Sequence, residues 1–552
     1  FLFTFLIILA SCVAKKQDLE ELKPDQSGAS VYAVSNDLKN QILNSKRPII
    51  LMVGQSRIQL SDQVSKFYEL QNYQPIWSNN SEVLPQANTL ISIIKDAENE
   101  GLQPSDYHLE QINISFNEIQ NNKDPFDRHM LAKFDLLLTD SLILYVSHLI
   151  NGRTEPQGVD LTWLKTHNKV DFGKMLSLSL DSNQFQNAVS NYQNPLYKRL
   201  RKTLIKYKLI QANGGWPFIP PGSKIERGQS GERIKLLRKR LIISGDQDEE
   251  SSGKGDTYDE ILENAILKFQ RRHGLTEDGI VGPSTLAALN VPVDKRINQI
   301  KINMERYRWL PQNIGSRYIE VNIPSFHLNV IQNGKTVLSM AVVVGKPYWN
   351  TPLFSANMTY LDLNPYWNIP KSIAVEETLP KIREDAEYLS RQNIEVFQGW
   401  TNDSNEIDPS TIDWSRVSNH NLRYRFRQNP GPSNPLGRIK FMLPNSYNVY
   451  LHDTPKKSLF RKSKRDFSHG CIRVENPIGL AEYVLSADPG WAREKIESEI
   501  RKGRPQSILL PEPMPVYLVY FTSWVDDEGN IQFRDDIYGK DEALYRALLK
   551  TS

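Results

Sequence analysis

Cys12 and Cys471 are the only cysteines in a chain of 552 residues. That count excludes a disulfide-rich scaffold and a structural Cys₄ zinc site. The composition is that of an ordinary globular protein, with 39% hydrophobic, 10% aromatic and 24% charged residues. At the usual domain size, the length predicts about three or four domains. Lys and Arg outnumber Asp and Glu by 67 to 64, a formal charge of +3. So small a charge argues against a nucleic-acid partner.

The first cysteine ends an apolar run that starts at Phe1. The run is shorter than the roughly 20 residues of a membrane-spanning helix. It suits the core of a secretion signal. Neither a basic segment nor an initiator Met precedes it, so the sequence reads as truncated at its start. Leu9-Ala10-Ser11-Cys12 resembles a bacterial lipobox, in which cleavage frees the Cys12 thiol for acylation. Each buried CH₂ of such a lipid contributes about 0.8 kcal/mol of membrane affinity. Val13 and Ala14 follow with no Asp, which favours the outer membrane. The expectation is a signal over 1–12, a polar tether over 13–30 and a periplasmic protein of a Gram-negative bacterium, lipid-anchored at Cys12.

Residues 31–220 read as a helical scaffold, with apolar helical spacing at Val31–Leu43, Ala87–Ala97 and Met130–Leu149. A Pro/Gly linker at 217–222 opens a compact unit over 224–295. Its first helix runs over Glu232–Ile243. An acidic, Gly/Ser-rich insert at 245–255 follows. The second helix, Tyr258–His273, places Ile261, Leu262, Ala265, Ile266 and Phe269 inward, and a third covers Thr285–Leu289. From 316 the pattern changes to strands. Arg317–Ile323 alternates with period two, and Asn333-Gly334 between apolar runs predicts a type I′ hairpin. Residues 370–435 read as an inserted subdomain with a helix near Val375–Tyr388. Strands resume at Ile439 and at Val449–His452. Trp349, Trp367, Trp400 and Trp414 are read as core residues in the main, with stacking on sugars as the alternative.

The second cysteine sits in the sharpest motif. Val449-Tyr450-Leu451-His452-Asp453-Thr454 is followed by Ser468-His469-Gly470-Cys471-Ile472-Arg473. An imidazole beside a thiol can lower its pKa and take its proton, which makes Cys471 a candidate nucleophile and His452 a candidate base. Gly470 permits a tight turn that could aim the amides of Gly470 and Cys471 at a developing oxyanion. Zinc ligation by Cys471, His452 and His469 lacks a CxxC pair or an HExxH helix. No metal and no cofactor is expected. Asp453 is a weak third member, better suited to a turn. The cations of 456–465 read as a solvated loop, or as an attraction for carboxylates.

These residues resemble the signature of the L,D-transpeptidases of bacterial cell walls, the YkuD-type domain. Ala265 to Leu286, with Phe269, Gln270, Gly274, Asp278-Gly279 and Gly282-Pro283, resembles the three-helix peptidoglycan-binding module. The order of domains is similar to that of the large murein L,D-transpeptidases. The resemblance implies an α+β multidomain fold. It comprises the helical scaffold, the three-helix module over 224–295 and a β-sandwich-like catalytic domain over 316–552, with a capping subdomain near 370–435. It implies Cys471 as nucleophile, His452 as base, and His469 and Gly470 as shapers of the oxyanion hole. Arg473, Tyr450 and Ser468 would line the substrate. The implied activity is 3→3 cross-linking of peptidoglycan through a cysteine thioester, with release of D-Ala and sensitivity to carbapenems. Hydrolysis, wall-protein attachment or non-catalytic wall binding are the alternatives. The implied partners are stem peptides and glycan, with the outer membrane reached through the lipid.

Overall fold

The computed structural model describes residues 28–44, 50–53, 56–79, 82–121, 127–154, 185, 187–188, 193–251, 255–311, 314–401 and 404–550. Cys12 and its flanks lie outside the described residues. Among those described, no helix is long and apolar enough to cross a membrane.

The chain divides into two compact units. The amino-terminal one is helical, with helices Gly28–Leu43, Ser61–Leu70, Pro85–Lys95, Leu109–Asn121 and the long Arg128–Asn151. The long helix is apolar on most sides, with Leu137, Leu138, Leu142 and Val146 fully buried. It also buries two carboxylates. Asp135 accepts from the Ile76 amide at 2.6 Å, the Ser78 hydroxyl at 2.7 Å and the Tyr68 hydroxyl at 3.0 Å. Asp140 accepts from the Gln59 and Leu60 amides, both at 2.9 Å. Each satisfies the donors of a loop that has no secondary structure to do so.

In the second unit, helix Pro195–Ala212 shares one core with helix Val293–Arg308 and the large sheet, through Tyr197, Leu204, Ile300 and Met304. The change of core therefore comes before the expected scaffold boundary at 220. The three-helix module has its own core of Ile234, Leu237, Leu262, Ile266, Phe269 and Leu289. Its second helix runs Glu260–Arg272, with Asp259 capping the Leu262 amide at 2.9 Å. Ile261, expected inward, is 40% exposed. It sits in the first turn, one position from the Leu262–Ala265–Phe269 stripe. The acidic insert is partly structural, since Asp246 is buried and pairs with buried Arg272, Oδ2 to Nη2 at 2.6 Å.

Among the described residues, the large sheet of the strand-rich region has nine strands. In chain order they are β1 Arg317–Asn322, β2 His327–Gln332, β3 Lys335–Gly345, β4 Phe354–Leu363, β5 Ile439–Met442, β6 Leu451–His452, β7 Asp466–Ser468, β8 Ile472–Val474 and β9 Gln506–Val519. Their spatial order is β7-β3-β8-β6-β5-β4-β9-β1-β2. The long β3 closes the sheet on itself, its first half paired with β2 and its second half with β8 and β7. The predicted hairpin turn is present, with positive φ at both Asn333 and Gly334.

The insert between β4 and β5 carries a four-stranded sheet of its own. It has a separate core of Ile369, Leu379, Ile382, Val396 and Phe426, with Trp367 and Trp414 against it. The single helix expected near Val375–Tyr388 is broken. A π-turn at Ala374–Thr378 leads into Leu379–Glu384, and a further turn of helix covers Tyr388–Arg391. Pro380 follows the π-turn and cannot donate an amide to it.

Candidate active site

The site is built by register. β6 and β8 run parallel, with Leu451 opposite Ile472 and His452 opposite Arg473. On the other side of β6, His452 lies opposite Lys440 of β5. Side chains two residues apart share a face, so Tyr450 and His452 join Cys471 and Arg473 on one face. Cys471 directly precedes β8, and the Ile472 amide donates to the Tyr450 carbonyl at 3.1 Å. The motif residues, 19 positions apart at His452 and Cys471, are thus brought together by one pair of short strands.

The turn before the cysteine is tightly held. Gly470 has φ +111°, where a side chain would be strained. The Ser468 hydroxyl donates to the Cys471 carbonyl at 2.6 Å and accepts the Gly470 amide at 3.1 Å. The Thr351 hydroxyl donates to the Gly470 carbonyl at 2.8 Å and accepts the Gly345 amide at 2.9 Å. The Gly470 amide, expected to face an oxyanion, is therefore turned inward onto Ser468. Ser468 acts here as the brace of the turn.

His452 is buried, 4% exposed. Its Nδ1 lies 2.5 Å from the Asp453 carbonyl, which can only accept, so Nδ1 carries the hydrogen, and the Pro435 carbonyl also faces the ring. Burial, then the charges of Arg473 and Lys440, pull the imidazole pKa from 6.5 down to about 3. Burial also pushes the Cys471 thiol above its ordinary 9.0, against hydrogen bonds from Tyr450 and the charges of Lys440 and Arg473. The resting pair is a neutral thiol and a neutral imidazole. On the thiol, desolvation outweighs the lowering by the Tyr450 hydrogen bonds and by the charges of Lys440 and Arg473. Asp453 takes no part in the pair. Its carboxylate accepts from the Thr454 and Arg438 amides at 2.7 and 2.8 Å and pairs with Lys457 at 2.6 Å. It is the turn residue that the sequence suggests.

Several site residues carry no motif. Lys440 Nζ stands 4.3 Å over the Tyr450 ring, and burial lowers its pKa. Trp349 packs its ring 4.0 Å from that of His469. His469 Nε2 meets Glu377 Oε1 of the insert at 2.7 Å. Burial lowers the His469 pKa, and Glu377 opposes that. The expected basic loop is mixed. Lys456 and Arg461 are exposed, but Arg465 is buried and donates to three backbone carbonyls. Trp400 is 39% exposed at the insert surface. Among the described residues, no group of three His, Cys, Asp or Glu is placed to hold a metal ion.

Residues 316–496 match the family of L,D-transpeptidase catalytic domains, the YkuD family. Residues 230–289 match the family described as "Putative peptidoglycan binding domain", and residues 62–204 match the family described as "Scaffold domain". The chain is thus a multidomain protein carrying a YkuD-type L,D-transpeptidase catalytic domain, a peptidoglycan-binding domain and a scaffold domain. Among curated relatives it is similar to a Haemophilus influenzae protein named "Putative L,D-transpeptidase", 34% identical over 257 residues. That match covers 46% of this chain and 51% of the relative, so it spans about half the relative's length. An N-acetylmuramoyl-L-alanine amidase of Bacillus licheniformis is 35% identical over 68 residues, 12% of this chain and 19% of that protein. A solved L,D-transpeptidase segment of Xylanimonas cellulosilytica aligns at 16% identity and TM-score 0.18, covering 54% of this chain and 99% of that one.

Two predictions follow from the geometry. With the thiol neutral at rest, alkylation of Cys471 by iodoacetamide should speed up about tenfold per pH unit from 6 to 8. A plateau below pH 7 would instead reveal a preformed thiolate. Secondly, a Cβ on Gly345 would collide with the Trp349 carbonyl. Gly345→Ala should therefore cost about 1–3 kcal/mol by overpacking and alter the Cys471 alkylation rate through Trp349 and Thr351. Gly431→Ala, whose Cβ meets nothing within 4 Å, is the control. Equal melting temperatures for the two variants would refute the packing argument.

Proposed function

We propose that this chain is a cysteine-dependent acyltransferase that makes 3→3 cross-links in peptidoglycan. The observation that carries the reading is the shared face of Tyr450, His452, Cys471 and Arg473, in a domain of the L,D-transpeptidase family. Nε2 of His452 takes the thiol proton as the sulfur attacks the carbonyl of the L-centre of diaminopimelate in a donor tetrapeptide. Proton transfer and attack are concerted in this account, since neither group is charged beforehand. The negative charge passes through the sulfur to the carbonyl oxygen, which the Cys471 amide stabilises. One such donor contributes about 3–4 kcal/mol. Lys440 and Arg473 favour the anionic sulfur.

The C–N bond to D-Ala then breaks, and the leaving amine takes the proton from His452. A thioester remains on Cys471. The side-chain amine of a second diaminopimelate attacks it and gives its proton to His452. The sulfur leaves, is reprotonated, and the two stems are joined. Tyr450 and Arg473 line the donor, and Trp349 and Glu377 hold His469 at the edge. The same thiol would be the target of a carbapenem. The reading includes a periplasmic location with Cys12 lipidated and the outer membrane as its support.

The test is D-Ala release from purified tetrapeptide muropeptides. Cys471→Ala should lower the rate at least about a thousandfold, as removal of a nucleophile does. Undiminished release would remove Cys471 from the chemistry. Cross-linked dimers among the products support transfer, whereas tripeptide monomers alone would make water the acceptor and the protein a carboxypeptidase.

A further inference from the structure

A cleft of about 960 Å³ lies between the three-helix module and the strand-rich domain. The volume is at the upper end of that for ligand sites. Residues 271–291 of the module form one wall, and segments near Phe326, Arg465 and Phe533 form the other. The lining carries five Lys or Arg against three carboxylates. All three carboxylates are engaged. Glu277 pairs with Arg271 at 2.8 Å, Asp535 meets Lys464 at 3.5 Å, and Asp278 accepts from the Gln270 amide at 2.8 Å.

That leaves Arg296, Arg465 and Arg534, none of which forms an ion pair among the described residues. They rest on neutral acceptors. Arg465 donates to the carbonyls of Val342, Lys462 and Phe326. Arg534 donates to those of Arg272 and Phe533 at 2.9 and 2.7 Å. Arg296 donates to the Gln299 side chain at 2.9 Å and the Ala288 carbonyl at 3.3 Å. Arg296 and Arg465 are only 7% and 8% exposed. Asp535 opposes the charges of Arg296 and Arg534, and Glu475 opposes that of Arg465. The lining still keeps five cations against three carboxylates, an excess of positive charge that an entering anion would relieve. Phe326 and Phe533 add apolar wall to it.

We propose that this cleft is a second binding site, which takes a carboxylate-bearing stem peptide of peptidoglycan, distinct from the donor at Cys471. The assignment rests on the reading of the chain as a peptidoglycan enzyme. A stem peptide suits the cleft because it offers several carboxylates on a short, partly apolar backbone. Arg465 ends the basic loop and directly precedes strand β7, which leads to His469 and Cys471. Five residues of chain separate this part of the cleft wall from the nucleophile.

The test uses the full chain with Cys471 capped by iodoacetamide, so that no acyl-enzyme forms. Calorimetry follows binding of a tetrapeptide muropeptide, the same muropeptide with its carboxylates amidated, and inorganic phosphate. The free acid should bind, and amidation should weaken it at least tenfold. Arg534→Gln should do the same. Lys464→Glu changes a side chain that is 70% exposed, so it spares the fold. It should weaken binding several-fold with an unchanged melting temperature. Equal affinity for acid and amide, or indifference to Lys464→Glu, overturns the proposal. Phosphate that competes as well as the muropeptide also overturns it, in favour of a phosphate polymer. Binding to capped protein is read without D-Ala release, so failure of the catalytic reading and failure of this site give separate results.

Discussion

The parallel pairing of β6 with β8 is the contact on which the site depends. Only two residues of β6 and three of β8 are strand, yet they set Leu451 opposite Ile472 and His452 opposite Arg473 and so place Cys471 beside Tyr450. A slip of one residue would turn His452 to the other face of the sheet. Other elements hold that register. β5 pairs with β6 on the far side through Lys440 and His452, and β3 closes on β8 through Val343 and Arg473. The turn at Gly470 is braced by Ser468 from within and by Thr351 from the loop after β3.

The same register concentrates charge. Asp362, Lys440, His452 and Arg473 occupy one row across four strands. With a cation on either side, a buried imidazole stays neutral, and a desolvated thiol does too. The two cations wait for negative charge rather than creating it beforehand. In the proposed mechanism that charge appears only as the sulfur attacks, so the field acts on the transition state more than on the resting enzyme.

The motif between 449 and 474 was legible because its residues are close in sequence and chemically unusual together. The module was legible through its glycine turns and apolar helix stripe, apart from Ile261 at the helix start. Asp453 as a turn residue could be read from its position after a strand. Lys440, Trp349 and Glu377 could not. Each looks like an ordinary strand, loop or helix residue, and it joins the site only through sheet register or through the insert. The inward turn of the Gly470 amide was hidden for a related reason, since it depends on where the Ser468 hydroxyl points. Burial of Arg465 was masked by its exposed basic neighbours. The broken helix of the insert was hidden because its break falls at Asp385, where the backbone is extended, with no glycine or proline to mark it.

The central claim is that Cys471 carries the acyl group. Its most direct test is the mass of the protein after brief incubation with a tetrapeptide donor and no acceptor. The account predicts a gain equal to the donor less one D-Ala, placed on the peptide that contains Cys471 and lost on treatment with hydroxylamine. An adduct on another residue, or D-Ala release with no adduct at any time point, would contradict it.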